Sequence, residues 1–382
     1  ETSVQNYKLF QSDDASNFEH NFRQPGAGFR AQTLLPGKSN GVQVVTLSCS
    51  EMEVDVIPGR GMGIHCARRN GTRFGWNSPV DGPVNPALVP VNDASGIGWL
   101  EGFDEMVVRC GLLSNGAPQF DEHGNVVFPV HGRIANLPAT DVDVTINEQE
   151  DSISVRGVVN ETRFLIYQLK LETTITICGN RITISDRVTN SSGTEASFQM
   201  LYHNNFGEPV LGDGAEFKAP VVEVAPRDAR AAEGINDWQR FSAPQAGYAE
   251  QVYFMKLSSG NDGQVPVVVR NNNTQSGVLL RYDANVLPCF TLWKNTAARE
   301  DGYVFGIEPA TNFPNARQFE EDQGRVVQLA PGAAYEMSLS LELLLGSDEL
   351  TAATRIVDSV ATGETIVHES PRSGWSPGLD AY

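Results

Sequence analysis

Three short stretches of this chain hold side chains of the types that move protons. In VFGIEPATNFPN, residues 304–315, an alternating apolar run places one carboxylate, Glu308, directly before Pro309. Proline has no backbone N–H, so pairing is expected to stop there and leave Glu308 at a rim, where loops build sites. In FPVHGRIANLP an apolar run ends in His131, followed by Gly132, and in MLYHNNFGEP another ends in His203, followed by Asn204 and Asn205. A carboxylate and an imidazole are side chains whose pKa values can be set to opposite tasks, one as base and one as acid. Ionic groups are seldom found in apolar strand text unless they are paired or face a cleft, which singles out Glu308. The bland alternative is an ion pair to Arg317 or Arg109. Either histidine alone reads as readily as a hydrogen-bonding surface or core residue. The alternation of Phe198, Met200 and Tyr202 against Gln199, Leu201 and His203 does not decide which face His203 takes. Chemistry is expected only if the three residues converge.

Other chemistries find little support. There is no GxSxG elbow, and no cysteine sits in a nucleophile setting. The glycines of GRGMGI lead into strand-like text and not into a helix, so they do not read as a phosphate cradle. A zinc site from His131, His203 and Glu308 would lack an HxH or HExxH nucleus. The formal net charge of −19 argues against nucleic acid and anionic membranes, because a polyanion is repelled and gains nothing from counterion release. Neutral small molecules remain compatible. The five scattered cysteines, odd in number and without a CxxC pair, read as buried reduced thiols. No basic segment leads into an apolar run at the start, and no apolar run reaches spanning length, so a soluble, cytoplasmic protein is expected. A leader removed before residue 1 would leave no trace.

The elements that must position these residues are mostly strands. Residues 1–40 read as an N-terminal arm or edge strands, residues 41–345 as one large domain, and residues 346–382 as a helix and a loosely held tail. In the domain, VQVVTLSCSEMEVDVIPGRGMGI alternates and turns at Pro58-Gly59. Residues 70–97, rich in glycine and proline, read as a long ordered loop. Residues 98–113 gather Trp99, Glu101, Phe103, Asp104 and Arg109. From residue 141 to 200 five segments, among them FLIYQLKLETTITI and RITISDRVTN, alternate at period two, with a hairpin turn at Gly179-Asn180. Such a meander has one apolar face and needs a second sheet against it, so the fold class is an all-β, large antiparallel β-sandwich. After Gly346 the period changes: Leu350, Ala353, Ile356, Val357 and Val360 share a helical face, with Ser347 as N-cap and Asp348 and Glu349 in the first turn.

These stretches together resemble the galactose mutarotase-like (aldose 1-epimerase) superfamily, in particular an uncharacterised branch of it carried as a domain of unknown function. VHGRIANLP resembles the family's HGG stretch, whose histidine binds sugar, and the match is His131. LYHNNFGEP resembles its NHSYF-type stretch, whose histidine is the general acid, and the match is His203. GIEPATNFPN resembles the strand of the general base, giving Glu308. MVVRCGL resembles the NRI-type strand whose arginine touches sugar, which gives Arg109. Glu250 in GYAEQVYF stands nearest to the family's sugar-binding aspartate. HGR in place of HGG is a departure.

The resemblance implies a supersandwich fold and anomer interconversion of a free sugar or sugar acid by ring opening, with a small-molecule sugar as partner and no metal or organic cofactor. Trp99, Trp76 and Trp293 are candidates for a face on which the sugar stacks. A non-catalytic carbohydrate-binding protein, and an isomerase or lyase acting on a modified sugar acid, are the alternatives. Either a monomer or a homodimer is compatible.

Overall fold

The computed structural model describes residues 4–10, 19–24, 26–360 and 362–379. Its strands form two large sheets packed face to face, together with a small two-stranded one. The meander of Ala139–Asn147, Ser152–Arg163, Tyr167–Cys178 and Arg181–Asn190 is the centre of a nine-stranded sheet, which continues through Ala334–Leu345, Ser276–Asp283 and Gln264–Asn271. Its period-two pattern turns Ile175, Ile177, Ile182, Ile184 and Leu341 inward, all fully buried. Each such side chain contributes about 1.5–3 kcal/mol relative to exposure. The turn at Gly179, with φ of +56°, closes the Cys178–Arg181 hairpin as expected. Phe164, Leu165 and Ile166, read as strand from their composition, instead form an exposed turn before Tyr167.

The facing sheet has fourteen strands. Its middle runs in the order Gly63–Arg69, Val107–Leu112, Ala196–Phe206, Val304–Ala310, Cys289–Asn295 and Gln251–Leu257. One face of it, with Phe198, Met200, Tyr202, Phe305 and Ile307, packs into the main core. The other face carries Val108, Cys110, Leu201, Val304 and Ala310 beneath Trp76, Trp99, Phe103 and Ala135 from the covering loops. Both faces of these central strands are therefore dry, and the candidate site lies on the loop-covered one.

The chain ends with one amphipathic helix, Ser347–Asp358, which lays Leu350, Ala353 and Val357 on Val268, Leu279 and Leu344. Ser347 does not cap it. Gly346 occupies the N-cap position, and Glu349 reaches back to accept from the Leu345 N–H at 2.9 Å. The described part of the tail, residues 362–379, is held and not loose. Trp375 is buried against Phe313, with ring centroids 5.0 Å apart. Four of the five cysteines are buried, and Cys178 is exposed. Among the described residues no helix is long and apolar enough to cross a membrane.

Candidate functional site

Pro309 does not end the strand it lies in. Val304–Ala310 is a central strand, flanked on one side by Ala196–Phe206 and on the other by Cys289–Asn295. Pairing with the first flank runs from Phe206–Phe305 to Asn204–Ile307 and resumes at Leu201–Ala310 in the same register. His203 therefore stands directly opposite Glu308, on the same face, with the proline in the gap where a ladder bond is missing. Glu308 is thus on the floor of the loop-covered face and not at a rim. Its Oε1 lies 3.1 Å from His203 Nε2, off the line of a hydrogen bond, and has no hydrogen-bond partner among the described residues. Gly306 makes the approach possible, because a Cβ there would come within 2.6 Å of that oxygen and 3.1 Å of the imidazole Cε1.

The His203 ring is held from behind. Asn205 donates through its amide nitrogen to the carbonyls of Glu105 and His203, at 3.0 and 3.1 Å, which turns its Oδ1 toward His203 Nδ1. A carbonyl oxygen only accepts, so Nδ1 carries a hydrogen and Nε2, facing Glu308, is the atom that exchanges protons. Burial, reinforced by the neighbouring His131, pushes the His203 pKa well below its ordinary value, although the Asn205 bond opposes the shift. Burial, reinforced by Glu250 and opposed by Arg227, pushes Glu308 well above the ordinary carboxylate value.

His131 completes the group. Its backbone has φ of +57°, a left-handed conformation uncommon for a residue with a Cβ and a form of strain that concentrates at functional sites. Its Nδ1 donates to the Asn115 carbonyl at 3.0 Å, leaving Nε2 as the acceptor of a ring that burial keeps neutral. The rings of His131 and His203 lie edge to face at 5.5 Å.

These residues line a cavity of about 250 Å³, together with Trp99, Phe103, Val130, Arg227, Glu250, Thr291 and Trp293. Of the residues expected here, Glu308, His203, His131, Glu250 and Trp99 converge on it. Arg109 does not. Its position on Val107–Leu112 alternates with Val108 and Cys110, so it points through the sheet into the core, where its guanidinium pairs with Asp186 at 2.5 and 3.0 Å. Nor does Glu308 pair with Arg317, which instead bonds the Leu113 carbonyl and Ser197 Oγ.

The tryptophans divide their roles. Trp99 is fully buried, its ring against Phe103 and His131 at 4.9 and 4.7 Å, and its Nε1 has no partner among the described residues. Trp76 lies behind Phe103 and donates to the Glu105 carbonyl. The half-buried Trp293, 5.2 Å from His203, is the ring placed to receive an apolar face. Its Nε1 donates to Glu250 Oε2 at 2.6 Å, while Arg227 donates to Glu250 Oε1 at 3.0 Å.

Arg227, in the polar text APRDAR, and Thr291 were not found from the sequence. Nothing marks Arg227 locally. Thr291 becomes legible only with the register, which sets it opposite Glu308 and two residues from Trp293 on the same face. Among the described residues no group of three or more His, Cys, Asp or Glu is placed to hold a metal ion. A larger groove of about 890 Å³ lies over the nine-stranded sheet. Several of its charges are paired with each other, as in Arg187–Glu336 and Arg156–Glu172, and no histidine lines it.

Comparison with known proteins agrees with the fold. Residues 39–343 match the family model described as a domain of unknown function (DUF4432). No match is found among curated proteins. The fold superposes on a candidate aldose 1-epimerase from Klebsiella pneumoniae with a TM-score of 0.92 and 30% identity, over 97% of this chain and all of that one. A galactose mutarotase-like protein from Clostridium acetobutylicum (TM-score 0.58, 14% identity) covers 84% of this chain and 100% of its own. Galactose 1-epimerase from Lactobacillus acidophilus (TM-score 0.53, 12% identity) covers 84% and 99%. These last two share the fold alone. With most of its length matched to that family, and nearly all of it shared with the Klebsiella protein, the chain belongs to the DUF4432 family and has the galactose mutarotase-like fold.

Proposed function

We propose that the protein is an epimerase of the aldose 1-epimerase type, interconverting the anomers of a free sugar. The observation that carries this reading is the facing pair on the cavity floor, His203 Nε2 and Glu308 Oε1 at 3.1 Å. Around it, Thr291 Oγ1 and Trp99 Nε1, both buried and without partners among the described residues, belong to cavity-lining side chains. Buried polar atoms are rarely left unsatisfied without a ligand, water or strain to account for them, and a polyhydroxylated ring is a ligand that satisfies several at once. The cavity is at the small end of ligand pockets, a size suited to one sugar ring. Trp293 offers an apolar face beside polar groups, the pairing that a sugar's C–H and O–H surfaces require.

In this mechanism Glu308 accepts the proton of the C1 hydroxyl as His203 Nε2 delivers one to the ring oxygen. The C1–ring oxygen bond breaks and C1 becomes an aldehyde. Rotation about C1–C2 and closure on the other face, with the two proton transfers reversed, give the second anomer. Proton bookkeeping fits the electrostatics. The starting pair is carboxylate and imidazolium, and the ring-opened state leaves a carboxylic acid and a neutral imidazole, with the same number of protons on the pair. Burial disfavours the first form and favours the second, so the dry floor pulls the transfers toward opening.

The test is the approach to equilibrium of freshly dissolved pure anomers across a panel of sugars and sugar acids, followed by polarimetry or NMR. Acceleration by the wild-type chain is expected, with a loss of about 10²–10⁴-fold in Glu308→Gln and in His203→Asn while both remain folded. If no sugar equilibrates faster with the protein than without it, the reading fails.

A further inference from the structure

Residues 366–379 lie beyond the stretch matched by the family model and run along one side of the cavity. Ile366–Val367 pairs in parallel with Glu223 and Val224, and the His368 N–H donates to the Val224 carbonyl at 3.0 Å. The Glu223 carboxylate gathers His368 Nε2 and Arg372 Nε, each at 2.6 Å. The Arg372 guanidinium lies 4.5 Å over the ring of Trp375, which meets Phe313. The carbonyls of Gly374 and Trp375 accept from Arg325 at 2.7 Å and Asn315 at 2.9 Å. Ser376 Oγ donates to the Arg227 carbonyl at 2.5 Å, and the Ala229 N–H donates to the Leu379 carbonyl at 3.4 Å.

Apart from those to Glu223, Val224 and Arg325, these contacts end on two wall segments. One holds Phe313 and Asn315, which flank the cavity-lining Pro314. The other begins at Arg227, whose guanidinium reaches Glu250 and, through it, Trp293. Both segments leave the sheet: the first follows the end of Val304–Ala310, and the second follows Val221–Pro226, with a last bond from the Arg227 N–H to the Val252 carbonyl at 2.9 Å. Backbone outside a ladder must find its partners elsewhere or open readily. Here the C-terminal segment bonds the backbone of the second wall, at the Arg227 carbonyl and the Ala229 N–H, and holds the first through the Asn315 side-chain amide and the Phe313 ring. The floor pair, by contrast, is fixed by strand register.

We propose that residues 366–379 are a strap that positions the Arg227–Glu250–Trp293 wall and Pro314, with Trp375 and Ser376 as positioning residues for the sugar. Its effect on turnover rests on the epimerase reading above. Its effect on the walls does not.

The test uses the full chain carrying Trp375→Ala or Ser376→Ala and reads hydrogen exchange by mass spectrometry. Amides of residues 225–231 and 313–316 exchange about tenfold faster in Trp375→Ala, equivalent to about 1.4 kcal/mol of local stability, while those of residues 171–177 keep their rates. Ser376→Ala, which removes one hydroxyl, gives a smaller rise confined to 225–231 and carries the test should the tryptophan variant fail to fold. In steady state KM rises by roughly fivefold to tenfold while kcat stays within about twofold, since the floor pair is untouched. Unchanged exchange at both walls overturns the strap, and a loss of kcat at constant KM overturns its positioning role. Absence of epimerisation by the wild-type chain sinks the functional reading instead and leaves the exchange result to decide the strap.

Discussion

Two buried ionisable groupings sit back to back on the strands Val107–Leu112 and Ala196–Phe206. On the core face, Arg109 stands opposite Tyr202 in register, and both reach Asp186 on the other sheet. The guanidinium also donates to the carbonyls of Gly61 and Met62 and to Thr173 Oγ1. On the loop-covered face, one residue along, His203 meets Glu308. Burial is nearly complete on both sides, so burial and charge alone do not tell structure from function. What differs is satisfaction. The core grouping has its donors and acceptors matched, whereas the other leaves Glu308 Oε1, and nearby Thr291 Oγ1 and Trp99 Nε1, unmatched among the described residues beside a cavity. A buried group without partners is costly, and it is tolerated where a ligand completes it.

The contrast breaks most visibly at Arg109. Arg109→Ala leaves the Asp186 carboxylate buried and unpaired, and a loss of about 3–5 kcal/mol is expected in urea unfolding. The double variant Arg109→Met with Asp186→Leu recovers most of it. A mild effect of Arg109→Ala would mean that the core grouping is less tightly held than its geometry indicates.

Glu308→Gln acts the other way, and its effect depends on pH. Burial, with Glu250 second, raises the Glu308 pKa in the folded chain. The stability this group contributes is therefore full below the ordinary glutamate value and is lost as pH rises through the raised value. Glutamine does not titrate, so the variant gains stability relative to wild type as pH rises from the ordinary glutamate value through the raised one. Urea midpoints for the two proteins at both ends of that window measure it. A constant difference would show that Glu308 is not held neutral by its surroundings.

Thr291→Val gives the smallest effect and the sharpest sign. The shape is kept and one unpartnered hydroxyl is removed, so stability holds or rises while KM for the sugar increases by about threefold to tenfold, the loss of one hydrogen bond. Falling stability with an unmoved KM would make the hydroxyl structural.

Much of the fold was legible because period two is a direct readout of a half-buried strand. The meander of residues 141–200 and the helix after Gly346 both followed from spacing. His131, His203 and Glu308 stood out because proton-transfer side chains are rare in apolar strand text. What the sequence hides is which face a residue takes when both faces of its strand are dry. Arg109 lies in VVRCGL, where apolar neighbours on both sides erase the alternation, and only the register shows that it points into the core. Pro309 misled for a related reason, since a missing N–H marks a gap in a ladder as readily as the end of one. The tail misled because its prolines and glycines look loose, whereas the aromatic burial of Trp375 against Phe313 depends on a residue far away in sequence. Arg227 was invisible because its role is fixed by Glu250 and Trp293, partners that local text does not supply.

Facing residues on antiparallel strands cannot slide past each other by less than a full step, and a full step turns every side chain over. The separation of His203 and Glu308 is thus inherited as an indivisible unit, insensitive to gradual deformation of the surroundings. The enclosure above them, made of loops and a C-terminal strap, has no such constraint. On the epimerase reading proposed above, grafting those coverings between relatives is accordingly a route to new sugar preferences that leaves the facing pair intact.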